Sequence, residues 1–487
     1  MNLITNLKKI IEKVCPFVVI GLFILITVFI MFSRTPFWDE AHQVDIARLG
    51  WIEILKITRV IGHPFLWYYL IKPFSSPNLY PYSILIINWL FCFGAILLLW
   101  KKSPFNILIK SLITLSTPFL LFFGPVSRCY SIGIFFLFIL CILYPIKRKH
   151  PYIFASIIVF CANTSLMAMV GCFYIGLLFL WQIKDKKEFK NILIIFAIAS
   201  LVILLQYVGV QKPFIITNKE ILTRMLYFVV FPAGNTTKAF VLHLFTTIMF
   251  YTFPIFCFRK SKEAFFFISG TFLTLSLIFL FVYSGNYWNH YFYYIFFIMT
   301  FWIFYKKIYI NKFFNILFIL ILFMFCFREA TLDDILDLPY NSYSKQIANI
   351  IEQKYKNNKL VVLEGWNDIS PGADIYLAKK NIDLYDIHSR KRTSYESQKN
   401  IYNLINEIID FDKLYYAAGE NGLILSSMDI PNNKFLNIYL KKENDDYIIK
   451  TKNSWYLLKS LEKNSVIGFY VYKPIKIKSY DKINLWK

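Results

Sequence analysis

The stretch "CPFVVIGLFILITVFIMFSRTPFWDE", residues 15–40, decides how the chain is read. From Cys15 to Ser33 no side chain is charged, and then come Arg34 and the adjacent acids Asp39 and Glu40. An apolar run of this length crosses a bilayer core of about 30 Å as a helix, which satisfies its backbone polar groups internally. A carboxylate at a membrane surface costs desolvation unless it is solvated, paired or used.

Working outward, apolar runs recur at about 82–100, 105–123, 129–146, 152–163, 166–183, 191–210, 239–258, 264–283, 289–305 and 313–327. Basic clusters separate them at 8–13, Lys101/Lys102, 147–150, 184–190, 259–263 and 306–312. With every cluster in the cytoplasm, eleven spans close the topology. The N-terminus is then inside, the C-terminus outside, and residues 34–80 form the first outer loop. Basic clusters flank residues 151–182 on both sides, so this segment needs two short spans. It reads as a re-entrant-like helical hairpin with its tip at Asn163, Thr164 and Ser165, one long tilted span being the alternative.

Composition agrees. The 487 residues are 57% hydrophobic, 20% aromatic and only 17% charged, where soluble domains carry about a quarter charged. The net charge of +23 is uneven: 29 Lys+Arg face 9 Asp+Glu before residue 328, against 24 and 21 from there on. The surplus therefore belongs to the membrane half, which excludes a basic nucleic-acid binder. Eight cysteines lie in or beside apolar runs, with no CxxC or Cys/His spacing and no disulfide framework. Lys8, Lys9 and Lys13 precede the first run, which lacks a small-residue cleavage site and reads as a retained span. Usage rich in Ile, Lys, Asn, Phe and Tyr is what AT-rich bacterial genomes encode. The expected location is a bacterial cytoplasmic membrane.

After Arg328 hydrophobicity falls and the charges mix. "KLVVLEG" 359–365, "NIDLYDI" 381–387 and "KLYYAAG" 413–419 read as short strands, and 342–356 and 394–410 have helical periodicity. The expected architecture is a polytopic α-helical membrane domain over 1–327, carrying the outer loop 34–80, and a soluble extracytoplasmic α/β domain over 328–487.

Within the outer loop, Ile46, Leu49, Ile52, Ile54, Leu55 and Ile57 interleave with Asp45, Arg48, Glu53 and Lys56, the pattern of an interfacial helix. Asp45 with Arg48 and Glu53 with Lys56 are local ion pairs by spacing. Asp39 and Glu40 have no cation three or four positions onward. "FWDEAHQ" 37–43 followed by "RVIGHPFLWYYLIKPF" 59–74 resembles the first outer loop of GT-C-fold, lipid-dependent glycosyltransferases. The closest group is the bacterial relatives of protein O-mannosyltransferases and of the lipid A aminoarabinose transferase. Those proteins carry an Asp-Glu pair after the first span and a His-Pro segment before the second, matched here by His63, Pro64, Phe65 and Leu66. "GPVSRCYSIGIFFLFIL" 124–140 resembles the family's Arg-x-Tyr, here Arg128 and Tyr130. "NTSLMAMVGCFYIGLLF" 163–179 resembles its short hairpin, with Asn163 where relatives often have His. "YWNHYFYY" 287–294 stands where a late outer loop places Arg or His, here His290.

The resemblance implies transfer of a sugar from a polyprenyl-phosphate donor to a glycan, lipid or protein acceptor at the outer face. Such chemistry needs a base for the acceptor hydroxyl, cations on the donor phosphate and an apolar groove for the lipid. Asp39 is the candidate base and Glu40 its helper. Arg128, Tyr130, Arg59 and His63 are candidates for the donor phosphate. Asn163, His290 and Lys212 are candidates for the substrate cavity. No cofactor is required; Glu40 and His63 would hold a divalent metal, which nothing in their spacing demands. The rival reading is a transporter or flippase of lipid-linked saccharides, which would place ionisable residues inside the spans. A third is a membrane anchor for the C-terminal domain.

Overall fold

A computed structural model describes residues 2–61, 63–207, 237–259, 261–282, 287–307, 312–326, 343–362, 369, 372–386, 411–419, 421–426, 439–443, 446–450, 454–465 and 469–477. The chain divides into two compact units. The first joins residues 1–33, 58–67 and 85–336; the second joins 34–57, 68–84 and 337–487.

The first unit is helical, and described helices fall on each apolar run. Four are long and apolar enough to cross a membrane: Glu12–Ser33, Tyr82–Lys102, Lys186–Tyr207 and Lys262–Phe281. Their ends follow local chemistry. Ser261 caps Lys262–Phe281 by accepting the Ala264 N–H at 3.5 Å, and Pro151 opens Pro151–Ala162 where a missing N–H costs nothing. Segment 105–123 is not one continuous helix. It splits into Ile107–Thr114 and a π-helical turn, Pro118–Phe123. That turn ends at Gly124, where a Cβ would lie 2.8 Å from both the Phe119 carbonyl and Thr27 Cγ2, so the close approach requires glycine.

Residues 151–182 form two helices, Pro151–Ala162 and Leu166–Gln182, joined at Asn163–Ser165. The first spans only about 18 Å at the α-helical rise. Ser165 accepts the Ala168 N–H at 3.1 Å, and the Thr164 hydroxyl donates to the Cys161 carbonyl at 2.7 Å. The tip thus closes its own backbone groups, and the single tilted span does not form. All eight cysteines are free thiols.

The second unit holds a seven-stranded mixed sheet: β1 (Leu360–Val362), β2 (Leu384–Asp386), β3 (Leu423–Ser426), β4 (Tyr439–Glu443), β5 (Asp446–Lys450), β6 (Trp455–Asn464) and β7 (Phe469–Ile477). The order is β2-β1-β3-β7-β6-β5-β4. β1 pairs in parallel with β2 and β3, Val361 facing Tyr385 and Ile424. The remaining pairs are antiparallel. Buried Leu360, Val362, Leu384, Leu425 and Val471 pack with Ile347 and Ile351 of helix Ser344–Lys354 and Leu377 of helix Gly372–Ala378.

One expectation changes here. "KLYYAAG" 413–419 is helical: Phe411–Ala418 buries Leu414 and Ala418, four residues apart, and Gly419 at φ 76 ends it in the left-handed region. The strand follows at Leu423–Ser426. Residues 34–57 and 68–84 fall in the same compact unit as the sheet. The helix expected at 394–410 lies outside the described residues.

Candidate functional site

The outer segment is two helices, Trp38–Arg48 and Trp51–Ile61, broken at Leu49 and Gly50, not one interfacial helix. The break is chemical. Gly50 donates its N–H to Glu53 Oε2 at 2.7 Å, starting the second helix. Lys72 Nζ donates to the Ala47 carbonyl at 3.2 Å and to the Leu49 carbonyl, closing the first. Glu53 is therefore spent on a helix start, whereas Asp45 pairs with Arg48 at 3.3 Å as its spacing predicts. Trp51 and Ile52 are exposed while Ile54 and Ile57 are buried, so the second helix does keep an outward apolar edge.

Glu40 has a partner that a search three or four residues ahead misses. Arg34, six residues back, grips it with two parallel hydrogen bonds: Nη1 to Oε2 at 2.6 Å and Nη2 to Oε1 at 2.7 Å. The Phe37 N–H adds a third bond to Oε2 at 3.2 Å, so the Glu40 side chain satisfies the backbone donor that opens the helix. Both charged side chains are buried, at 4% and 0% exposure. With both oxygens engaged by a guanidinium, Glu40 does not fit the metal-ligand role. Asp39, one residue earlier, is half-buried in the same turn, and its carbonyl accepts from Gln43 Nε2 at 3.2 Å.

Within this unit, helix Gly372–Ala378 packs against helix Trp38–Arg48. The Tyr376 ring meets Tyr80 edge-on at 5.2 Å, and Lys379 Nζ donates to the Tyr80 carbonyl at 2.6 Å. Burial pushes both phenols above their usual range, and the Glu40 carboxylate adds to the rise in each. The tyrosines therefore stay neutral beside the acidic helix. Asp374 lies in the first turn of helix Gly372–Ala378 and is buried.

In the helical unit, Arg128 is 7% exposed, so it is not an arginine snorkelling at the surface. Its N–H donates to Asn88 Oδ1 at 3.4 Å, and its guanidinium lies 5.8 Å from the centre of the Tyr130 ring. Asn88, a buried amide inside an apolar run, also donates to the carbonyls of Phe123 (2.9 Å), Gly124 (3.2 Å) and Val126 (2.9 Å). It thereby holds the turn that delivers Arg128. The Tyr130 hydroxyl accepts from Asn289 Nδ2 at 2.8 Å, so this tyrosine is buried structure and not part of an aromatic belt. His290 instead stacks on Phe279, 4.4 Å between ring centres.

The same unit ties the His-Pro segment to the hairpin tip. Gln206 Oε1 accepts the Phe65 N–H at 3.1 Å, and Gln206 Nε2 donates to Asn163 Oδ1 at 3.1 Å. The tip amide is thus engaged by a glutamine that the sequence reading does not single out. Half-buried His63 donates its N–H to the Thr58 carbonyl at 3.2 Å, and Arg59 is exposed in the last turn of its helix. Lys212, Trp366 and Asp368 lie outside the described residues.

These features define a helical protein with membrane-crossing apolar helices and a second unit built from an acidic helical segment and a mixed sheet. No protein-family model, no curated protein and no solved structure matches the chain.

Proposed function

We propose that the chain is an eleven-span GT-C-type glycosyltransferase of a bacterial cytoplasmic membrane. It moves a sugar from a polyprenyl-phosphate donor to a cell-surface glycan, lipid or protein at the outer face. The observation that carries the reading is Asp39, half-buried in a helical turn fixed by the buried Arg34–Glu40 pair. A carboxylate with its backbone so held is preorganised to accept a proton, which is what a general base requires.

Asp39 takes the proton of the acceptor hydroxyl. The acceptor oxygen forms a bond to the anomeric carbon as the bond from that carbon to the phosphate oxygen breaks, and polyprenyl phosphate leaves with the electron pair. Arg128, a permanent cation with a planar donor fork, is the group assigned to the phosphate. Glu40 acts through the helix, as a positioning residue. The shared unit of the outer segment and the C-terminal sheet supports an extracytoplasmic C-terminus, because a compact unit lies on one side of a bilayer. The chain between residues 84 and 337 then crosses an even number of times, as ten of the eleven spans require.

The test incubates purified full-length protein in lipid with radiolabelled polyprenyl-phosphate sugars and candidate acceptors, and follows release of polyprenyl phosphate. Wild type should turn over, and Asp39→Asn should be slower by about 10²–10⁴-fold, the usual contribution of a general base. Equal rates would move the base elsewhere. No consumption of any donor by folded wild type would sink the enzyme and favour transport of lipid-linked saccharides.

A further inference from the structure

A second charged cluster sits at the ends of four apolar segments, away from every residue assigned above. Lys147 follows the turn Tyr144–Ile146, Gln182 ends helix Leu166–Gln182, Glu263 lies in the first turn of Lys262–Phe281, and Lys307 closes the turn Tyr305–Lys307. Glu263 is the shared carboxylate. It accepts from Gln182 Nε2 at 3.0 Å and pairs with Lys307. Gln182 Nε2 also reaches the Tyr144 hydroxyl at 3.3 Å, and Arg148 Nη2 donates to the Gln182 carbonyl at 3.2 Å.

Lys147 is the anomaly. It is only 8% exposed. Its ammonium donates to the Tyr144 carbonyl at 3.0 Å and lies 3.5 Å from the centre of that tyrosine's ring, but no carboxylate pairs with it among the described residues. A lysine needed only to retain a loop in the cytoplasm would stand in water. A buried ammonium without a counter-ion is costly. Lys307 pairs with Glu263, and Lys147 lies within electrostatic reach of Glu263, Arg148 and Lys307, so three cations share one carboxylate here. Exposed apolar side chains border them in sequence: Ile146 at 39%, Trp181 at 67% and Phe265 at 42%. That is the composition of a headgroup-level site flanked by acyl chains.

We propose that Lys147, Arg148 and Lys307 bind the phosphate headgroup of an anionic phospholipid in the cytoplasmic leaflet. The phosphate supplies Lys147 with its missing counter-ion, and the apolar border distinguishes a lipid from a free anion. The electrostatics agree. Burial, then Arg148 and Lys307, push the Lys147 ammonium down from 10.5 to about 8, and Glu263 opposes them. Without the anion, the folded state holds fewer protons than the unfolded chain between about pH 8 and 10.5. Its stability therefore rises with pH across that window, and the penalty is complete below about 8. Bound phosphate reverses the shift and flattens the rise.

The full-length protein is exchanged into micelles containing phosphatidylcholine and phosphatidylglycerol, and retained lipids are counted by native mass spectrometry. Wild type should prefer phosphatidylglycerol. Lys147→Gln should weaken that preference about fivefold, near the ~1 kcal/mol per cation at an anionic surface. Arg148→Gln, at an exposed position, should weaken it similarly and keeps the test valid if the first variant fails to fold. Lys190→Gln, an exposed cation outside the cluster, should not. In phosphatidylcholine alone, thermal stability should climb from pH 8 to 10.5 for wild type and not for Lys147→Gln. No lipid preference, or equal loss in Lys190→Gln, overturns the site. Stabilisation by inorganic phosphate without preference for phosphatidylglycerol overturns the lipid.

Discussion

Two contacts of the segment 34–65 use opposite chemistry. At its start, Arg34 and Glu40 form a bidentate, fully buried ion pair in the unit that holds the sheet. At its end, the His-Pro segment hangs on neutral amides, Phe65 N–H to Gln206 and Gln206 to Asn163, in the helical unit. The difference follows from solvent. A guanidinium–carboxylate pair can assemble from a hydrated chain, and its fixed fork then gives the first helical turn one geometry. Between apolar helices a net charge has nowhere to be hydrated, and an amide can donate and accept without that cost. The ion pair fixes one geometry strongly, and the amides fix theirs at a lower desolvation cost.

The largest effect is expected at Glu40. Glu40→Gln removes the carboxylate that the buried Arg34 grips and should cost about 3–5 kcal/mol, read as a fall in the unfolding temperature in detergent. Methionine at both positions should recover most of it. If Glu40→Gln is as stable as wild type, charge is not what holds the turn. Gln206→Glu sharpens the other side: a carboxylate there should cost about 2.5–3.5 kcal/mol if the environment is as lipid-like as its neighbours imply. Gln206→Leu only removes the bridge and should cost about 1 kcal/mol. The smallest effect belongs to Asp45→Asn, which loses the pair with a partly exposed Arg48 and should change unfolding by about 0.3–0.5 kcal/mol. A large loss there would mean that the pair is coupled to the buried clamp.

Much of the helical unit was legible because apolar runs bounded by lysines leave few alternatives. Even the hairpin could be read, since basic clusters on both sides of 151–182 force the chain to turn. The polar contacts were harder. Arg34 is six residues from Glu40, outside the helical spacings that reveal pairs, and it reaches the carboxylate only because the chain at Thr35–Phe37 is not helical. Asn88 and Gln206 left a signal, a lone amide in an apolar run, but nothing in the sequence says which carbonyl each would find. In the C-terminal unit, "KLYYAAG" carries two strand-favouring tyrosines, and tertiary burial of Leu414 and Ala418 outweighed them. The ribbon β4–β7 mixes apolar and charged residues without strict alternation; its strands pair with their sequence neighbours, and it joins the rest of the sheet through the distant β3–β7 pair.

The shared unit of residues 34–57, 68–84 and 337–487 has a consequence for how the protein is made. The acidic helices leave the ribosome early, while the helix and sheet of their unit are still about 300 residues from synthesis. At about 5–20 residues per second, that is a wait on the order of tens of seconds. Through that interval the outer segment has its own clamp, Arg34 on Glu40, but not Tyr376 or Lys379. Synthesis of residues 360–477 is therefore also the moment at which the segment 34–84 gains its packing partners, so a product truncated before them would carry its apolar helices and still lack a finished second unit.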